Sequence, residues 1–406
     1  MSYKKWVNAE IDKAKASALS EKLNIDAFVA FLLVSRGIDD ELAASEFLSD
    51  GCRFSSPYLL KDMDKAVKRI NRALDDGESI CIYGDYDCDG VTSTALLYTF
   101  LSALGGFVSY YIPNRATDGY GMNFKAIDKI KADGTDLIIT VDNGISSIEE
   151  AEYIYSLGMQ LIVTDHHQIG ENLPRAEAVI NPHREDNEIE FRDFAGVGVA
   201  FKLACALYDG DVEDLLEDYA DYVTIGTIGD MVPLLNENRA IVKSGLKLIN
   251  TDAKIGISAL KKSTNSKAEH FSATDVAFQI CPRINAAGRM DTANLAVDLL
   301  TCEDNEIAEY KAEQLNLENT HRHEVEEKID KDIAEIMAND RAYQTDRVIV
   351  VAGHNYHKGV IGICAAHLVE LYSKPAIVIG IDDEGNATGS ARSIDGFNIF
   401  EAISNC

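Results

Sequence analysis

Between Ser79 and Ile180, short apolar runs alternate with single helical stretches, and this alternation narrows the possible folds more than any other feature of the chain. The runs are Ser79–Tyr83, Phe107–Ile112, Leu137–Val141, Gln160–Thr164 and Ala178–Ile180. Helical spacing begins at Val91, recurs near Asn123–Lys131 and again over Ile148–Leu157. Strands joined through single helices require right-handed crossovers, which give a parallel sheet covered on both faces. Helical spacing also runs from about Asn8 to Leu48, over Asp62–Asp76 and through most of Val197–Lys262. Glu303–Asn339 is a long charged run with helical spacing and no Gly or Pro; it reads as a solvated helix connecting two bodies. A second alternation follows: Val348–Ala352, a helix from Val360 to Tyr372, and Ala376–Ile379. The expected fold is α/β. It comprises a helical extension (1–76), a parallel-sheet domain with a helical subregion (77–302), a long connector helix (303–340) and a smaller α/β domain (341–406).

The composition, 46% hydrophobic and 26% charged with only 7 prolines in 406 residues, is that of a globular chain. No apolar run is long enough to cross a bilayer. The start, Met1 to Trp6, lacks the apolar segment of a signal peptide, so export is not expected. The 8 cysteines are scattered and form no CxxC pair; several fall in apolar runs, where cysteine acts as a small hydrophobe. A reducing cytoplasm is the natural reading. The net charge of −29 argues against a broad basic face for nucleic acid. It does not exclude a local groove, since carboxylates gathered around metal ions add negative charge of their own.

The chemistry signal is where the acidic residues fall relative to the strands. Ser79–Tyr83 runs into Gly84-Asp85-Tyr86-Asp87-Cys88-Asp89-Gly90, Leu137–Val141 ends in Asp142-Asn143-Gly144, and Leu161–Thr164 ends in Asp165-His166-His167. Ligands of an open parallel sheet collect beyond the carboxyl ends of its strands, so these clusters converge on one edge. Asp230 closes the helical run Thr224–Gly229. Carboxylates this close repel one another unless a cation lies among them. Oxygen-rich ligands with one or two imidazoles suit Mn²⁺ or Mg²⁺. A carboxylate shared by two such ions would clamp the attacking and leaving oxygens of a phosphoryl centre. Each part has a plainer reading. Asp85-x-Asp87-x-Asp89-Gly90 matches the opening of a calcium EF-hand loop, but the twelfth position is Leu96 and the loop follows a strand. Asp-Asn-Gly after a strand can be a simple turn. Three clusters at three strand ends outweigh these.

These residues, in this order, resemble the DHH phosphoesterase superfamily, named for the Asp165-His166-His167 triplet, and within it the RecJ family. The likeness extends through Tyr83–Thr94, Val141–Gly144, Val163–His167, Ile180–Arg184, Gly196–Phe201, Gly226–Pro233 and Ile284–Met290. The smaller domain resembles the associated DHHA1 domain at Gly353-His354, Gly359–Gly362 and Gly389–Ser393. The resemblance implies that Asp87 and Asp142 hold one metal, and that Asp89, Asp142, His166 and Asp230 hold the other. Asp85 would lie close by, Asp165 would orient the histidines, and His167 would face the scissile phosphate. It further implies a 5′-phosphate pocket of Arg115, Arg289, Ser390 and Arg392, for which paired guanidinium donors are well shaped. His354 and His357 have a spacing that zinc could use, but substrate or loop roles are expected of them. His321 and His323 on the connector are expected to be solvated. Many small-molecule members carry a histidine where this chain has Tyr83, which sets it on the RecJ side.

The function implied is a two-metal phosphodiesterase that degrades single-stranded DNA from 5′ to 3′ into mononucleotides in DNA repair and recombination. A helicase and a single-strand-binding protein are the implied partners, and no membrane is. The rivals are a DHH hydrolase of short oligonucleotides or cyclic dinucleotides, and a non-catalytic DNA-binding scaffold. The family continues beyond the Phe397–Phe400 stretch into the rest of its DHHA1 domain and an oligonucleotide-binding barrel, so the resemblance implies a C-terminally truncated chain.

Overall fold

The computed structural model describes residues 10–49, 54–115, 119, 121–208, 210–340 and 342–405. Cys52, Cys406 and the first residues of the helical pattern read from Asn8 lie outside them. Three short helices open the chain: α1 (Lys13–Leu23), α2 (Ala27–Ser35) and α3 (Glu41–Leu48). Asp12, Asp26 and Asp40 cap them in turn, each side chain accepting from free N–H groups of the first turn. Leu19, Ala30, Leu33, Ile38 and Ala44 form a small core of their own.

The sheet domain follows as α4 (Met63–Asp76), β1 (Ser79–Tyr83), α5 (Cys88–Ala103), β2 (Phe107–Tyr111), α6 (Phe124–Ala132), β3 (Leu137–Val141), α7 (Ile148–Ser156), β4 (Gln160–Thr164) and β5 (Ala178–Ile180). The strands pair in parallel in the order β2-β1-β3-β4-β5. Because side chains alternate across a strand, each run serves two cores. Ile80, Ile82, Leu137, Ile139, Val141 and Ile162 enter the larger core with α4 and α5. Cys81, Tyr83, Ile138, Leu161 and Val163 face α6 and α7 on the other side.

A helical layer completes the larger core: α8 (Gly196–Tyr208), α9 (Val212–Gly229), α10 (Asn236–Thr251), α11 (Ile255–Ser263), α12 (Ala273–Asp275), one turn of π-helix at Val276–Ile280, α13 (Cys281–Met290) and α14 (Asn294–Leu300). The connector is α15 (Asn305–Asn339), followed by α16 (Ala342–Thr345). The smaller domain has β6 (Ile349–His354), α17 (Ile361–Tyr372), β7 (Ala376–Ile381), β8 (Ala387–Arg392) and α18 (Ile399–Ser404). Here β6 and β7 are parallel, and β8 pairs antiparallel to β7.

Two features differ from the sequence reading. Ala387–Arg392 carries no apolar alternation to announce β8; its pairing with β7 makes it a strand. The connector is not solvated throughout. It buries a stripe whose first members join the sheet-domain core and whose last join the small-domain core. Among the described residues no helix is long and apolar enough to cross a membrane.

Candidate metal centre

The carboxyl edge of the sheet gathers the acidic residues. After β1 the chain turns through Gly84-Asp85-Tyr86, and Asp87 caps α5, accepting from the N–H groups of Asp89 at 3.0 Å and Gly90 at 3.1 Å. Gly90 is needed there, because a Cβ would lie 2.5 Å from the Asp85 carbonyl oxygen. After β3, Asp142 adopts a left-handed backbone (φ 59°), which a non-glycine residue rarely takes. Asn143 fastens this turn by donating to the Tyr83 and Val141 carbonyls, joining the ends of β1 and β3.

After β4, the Asp165 carboxylate accepts from the N–H groups of Ile145, His166 and His167 and lies 2.7 Å from His167 Nδ1. Asn181, just past β5, donates to the His167 carbonyl. Asp230 caps the C-terminus of α9. Asp89 points into the first turn of α8, accepting from Gly196 N at 2.6 Å and Val197 N at 2.8 Å. The partial positive charge of that helix end favours a carboxylate.

The predicted ligands therefore meet. His166 Nε2 faces Asp142 Oδ1 at 3.1 Å, Asp230 Oδ2 at 3.7 Å and Asp89 Oδ2 at 3.8 Å. Asp85, Asp87 and Asp142 form a second group whose oxygens lie within 4.8 Å of one another. Asp142 belongs to both surroundings. Two glycines from the helical layer make the close packing possible. A Cβ on Gly196 would lie 2.6 Å from the Asp142 Cβ, and one on Gly226 would lie 2.3 Å from Thr92 Oγ1 and 2.9 Å from Asp89 Oδ1. The sequence blocks contain both glycines, but nothing in a lone sequence shows that they abut the carboxylates.

The electrostatics are those of a crowded carboxylate cluster that the single His167 cation balances only in part. Burial, then the Asp87 charge, pushes the Asp85 carboxyl up to about 7. Burial and Asp87 push Asp230 up to about 6. Asp89 and Asp142 are driven well above the usual carboxylate range by burial and then by neighbouring aspartates. Burial, then the adjacent His167 cation, lowers His166 to about 4, leaving a neutral imidazole with a lone pair to offer. The Asp165 hydrogen bond raises His167 to about 9, so that ring is cationic at neutral pH. Burial opposes ionisation of Asp165, but the His167 bond and the backbone donors outweigh it and hold its carboxyl below the usual range. Asp142 Oδ1 is buried without a hydrogen bond among the described residues. An orphaned anionic oxygen, crowded carboxylates and a neutral imidazole are the donor set that hard divalent cations such as Mn²⁺ or Mg²⁺ require, so the residues fit such ions.

The predicted phosphate residues divide into two groups. Arg115 and Arg289 line one cavity of about 410 Å³ between α13 and the small domain, with Asn114, His357 and Lys358. The Arg115 guanidinium lies 5.1 Å from the centre of the Tyr86 ring, and Arg289 Nη1 donates to the Gly359 carbonyl at 3.0 Å. Burial, then the Arg115 and Arg322 charges, lowers Arg289 to about 10. Ser390 and Arg392 lie side by side on β8 (Nη1 to Oγ 3.3 Å), against Gly362 in the first turn of α17, outside the lining of that cavity. His354 ends β6 in an exposed position and does not line the cavity; His357, three residues on, does. The tight turn before Gly359 carries His357 inward. Tyr86 and Lys358 carry no sequence signal that singles them out. Tyr83 is buried, its hydroxyl donating to the Gly121 carbonyl at 3.1 Å.

Comparison with known proteins bears on this geometry. Residues 79–227 match the DHH family, N-terminal domain, and residues 345–406 match the DHHA1 domain. The chain is 42% identical over 404 residues to the single-stranded-DNA-specific exonuclease RecJ of Bacillus subtilis, covering 99% of this chain and 51% of that protein. Thus it spans about half the length of that relative. It is similar to a crystal structure of exonuclease RecJ bound to manganese, with 32% identity, a TM-score of 0.74 and coverage of 86% of this chain and 87% of that one. The crystal structure of RecJ from Thermus thermophilus in complex with Mn²⁺ gives 30% identity and a TM-score of 0.80 over 96% of this chain and 55% of that one.

Proposed function

The chain belongs to the RecJ family of DHH phosphoesterases, and from that premise we propose that it releases mononucleotides from the 5′ end of single-stranded DNA with the help of two divalent ions, Mn²⁺ or Mg²⁺. Asp87 and Asp142, with Asp85 beside them, would hold one ion; Asp89, Asp142, His166 and Asp230 would hold the other. Ions bound there supply Lewis-acid stabilisation of the phosphoryl oxygens and make a water more acidic. Asp142, facing both groups, is the natural shared ligand. Asp165 fixes His167 through Nδ1 and keeps it cationic, so its other face, half open to solvent, can meet the charge of a scissile phosphate. Arg115 and Arg289 offer guanidinium donors to a phosphate in the cavity beside the acidic edge, and Ser390, Arg392 and the first turn of α17 extend that surface. Holding a terminal phosphate at a fixed distance from the carboxylates would set both polarity and product length.

The observation that carries this reading is the meeting of three carboxylates around His166 Nε2, within 3.8 Å, next to a second carboxylate group that shares Asp142. The cytoplasm is the proposed site of action. A helicase that frees a strand and a protein that keeps it single are the partners such an activity calls for. The test is incubation of 5′-labelled single-stranded DNA with Mn²⁺. The label leaves first, as a mononucleotide. A labelled strand that shortens from its far end overturns the polarity, and dinucleotides cleaved faster than long strands favour a small-substrate hydrolase. Absence of Mn²⁺ binding in a titration favours a non-catalytic scaffold.

A further inference from the structure

α15 buries one continuous stripe: Ala308, Ala312, Leu315, Asn319, Arg322, Glu326, Ile329 and Ile333. The intervals alternate four and three, the spacing of a helix seam. Ala308, Ala312 and Leu315 belong to the sheet-domain core, and Ile329 and Ile333 to the small-domain core. Between them the seam is polar for three successive positions, each less than a tenth exposed. Arg322 Nη1 donates to Glu326 at 2.7 Å and Nη2 to Asn319 at 3.2 Å. The other Glu326 oxygen faces His367 Nε2 of α17 at 3.5 Å, and His367 Nδ1 lies 2.8 Å from Asp330. One imidazole is thus held between two carboxylates of the connector. Tyr356, in the loop after β6, adds a hydroxyl bond to Asp332. On the other side of the junction Arg289 donates to Gly359, and a Cβ at Gly359 would lie 2.2 Å from the Arg289 carbonyl oxygen, so the two bodies touch through backbone there.

Apolar side chains at three seam positions would pack at least as favourably, because a buried ion pair forfeits hydration that its Coulomb attraction only partly returns. What directional partners add is register. Leucines tolerate several offsets between packed surfaces, whereas Arg322 and Asn319 hold the Glu326 carboxylate in place on α15, and His367 of α17 meets both that carboxylate, at 3.5 Å, and Asp330, at 2.8 Å, at one offset only.

We propose that Asn319, Arg322 and Glu326, clamped by His367, are positioning residues that lock the small domain in one register on the connector, whose first turns lie in the sheet-domain core, and so fix the separation between the acidic edge and the Ser390 and Arg392 phosphate surface. The lock itself stands on the seam geometry; its consequence for end recognition rests on the function proposed above.

The test compares the chain with its Arg322→Met/Glu326→Leu variant in three measurements: thermal unfolding, the distance distribution between fluorescent labels at exposed positions Lys125 and Glu370, and the ratio of kcat/KM on 5′-phosphorylated over 5′-hydroxyl single strands. The variant keeps or raises its Tm while the distance distribution broadens. Mn²⁺ binding is unchanged, and the ratio falls about tenfold or more, since roughly an ångström of misplacement can cost that much. An unchanged narrow distribution overturns the lock. A broadened distribution with an unchanged ratio overturns the link to end recognition. A parent chain that does not cleave DNA overturns the functional reading alone, because the distance measurement still reports on the lock. If the double variant does not fold, His367→Gln, at a side chain 39% exposed, breaks the clamp without disturbing either core and is read by the same distances.

Discussion

Replacing Asp142 with Asn separates a metal centre from a merely structural acidic cluster, because the two assign opposite signs to the change in stability. Asn is compatible with the left-handed backbone at this position, so the substitution alters charge with little strain. In the absence of metal the carboxyl has two states, both costly. Ionised, it lies within 4.8 Å of the Asp85 and Asp87 oxygens, which costs about 3.5 kcal/mol per charged pair at an effective dielectric constant of about 20. Protonated at pH 7, it is held against an ordinary value of 3.8, which costs about 4 kcal/mol at about 1.4 kcal/mol per unit. Allowing for relaxation, Asn stabilises the metal-free protein by about 2–4 kcal/mol, a rise of about 5 °C or more in Tm. With Mn²⁺ the order reverses. Saturation at about 100 times Kd adds about 2.7 kcal/mol to the parent chain, while the variant has lost the shared ligand. Differential scanning fluorimetry in chelator and in Mn²⁺ reads both signs. If the Asn variant is less stable in chelator and gains as much from Mn²⁺ as the parent, the carboxylate cluster is not a shared metal site.

Asp85 and Asp230, raised to about 7 and about 6 in the folded state, bind protons there that the unfolded chain has released; stability in chelator therefore increases as pH is lowered from about 8 toward 5, and a flat profile in the same fluorimetric assay contradicts the burial assigned to them. Gly196→Ala forces a Cβ to within 2.6 Å of the Asp142 Cβ, so Mn²⁺ affinity measured by calorimetry drops about tenfold or more while the far-ultraviolet dichroism stays that of the parent. Arg184 donates to Asp62 and the Val179 carbonyl, each at 2.7 Å, and Arg184 and Asp62 are nearly buried; Arg184→Met costs about 1–3 kcal/mol in urea unfolding, less than a fully stranded charge would because Lys65 still pairs with Asp62, and adding Asp62→Asn recovers part of it.

Much of the site is legible because strand ends are legible. An apolar run of five residues that stops at an aspartate places that aspartate on the sheet edge, and three such runs in parallel bring Asp85, Asp87, Asp142, Asp165 and His166 together before any coordinate is known. Asp230 can be placed only by resemblance, because a helix C-terminus can point anywhere. Gly196 and Gly226 stand in the sequence only as members of longer blocks; their role comes from α8 and α9 packing against Asp142, Asp89 and Thr92, which no local pattern encodes. His354 and His357 stand alike in the sequence, and only the turn from His357 to Val360 decides which histidine faces inward. β8 escapes detection since Ala-Thr-Gly-Ser-Ala-Arg has neither β-branched alternation nor a flanking apolar run, and it is a strand only because β7 offers an edge. The connector misleads for a related reason. Asn319, Arg322 and Glu326 stand at seam positions where periodicity analysis looks for apolar residues, so a continuous seam reads as two fragments on a solvated helix.

The chain departs from local rules at two places, and the two differ in what can offset them. At Asp142, a left-handed backbone, an unpaired buried oxygen and like-charged neighbours fall on one residue. At Arg322, a cation is buried with its Nε unpartnered among the described residues. Neither penalty persists in a protein of ordinary stability unless something specific offsets it. A divalent ion can offset the first and has nothing to offer the second, where Glu326 already supplies the counter-charge and Arg289 nearby is itself positive. Mn²⁺ should therefore suppress the stabilising effect of Asp142→Asn and leave that of Arg322→Met/Glu326→Leu intact. If Mn²⁺ erases both, the two sites are coupled through the register of the small domain, and metal binding and domain docking are one event rather than two.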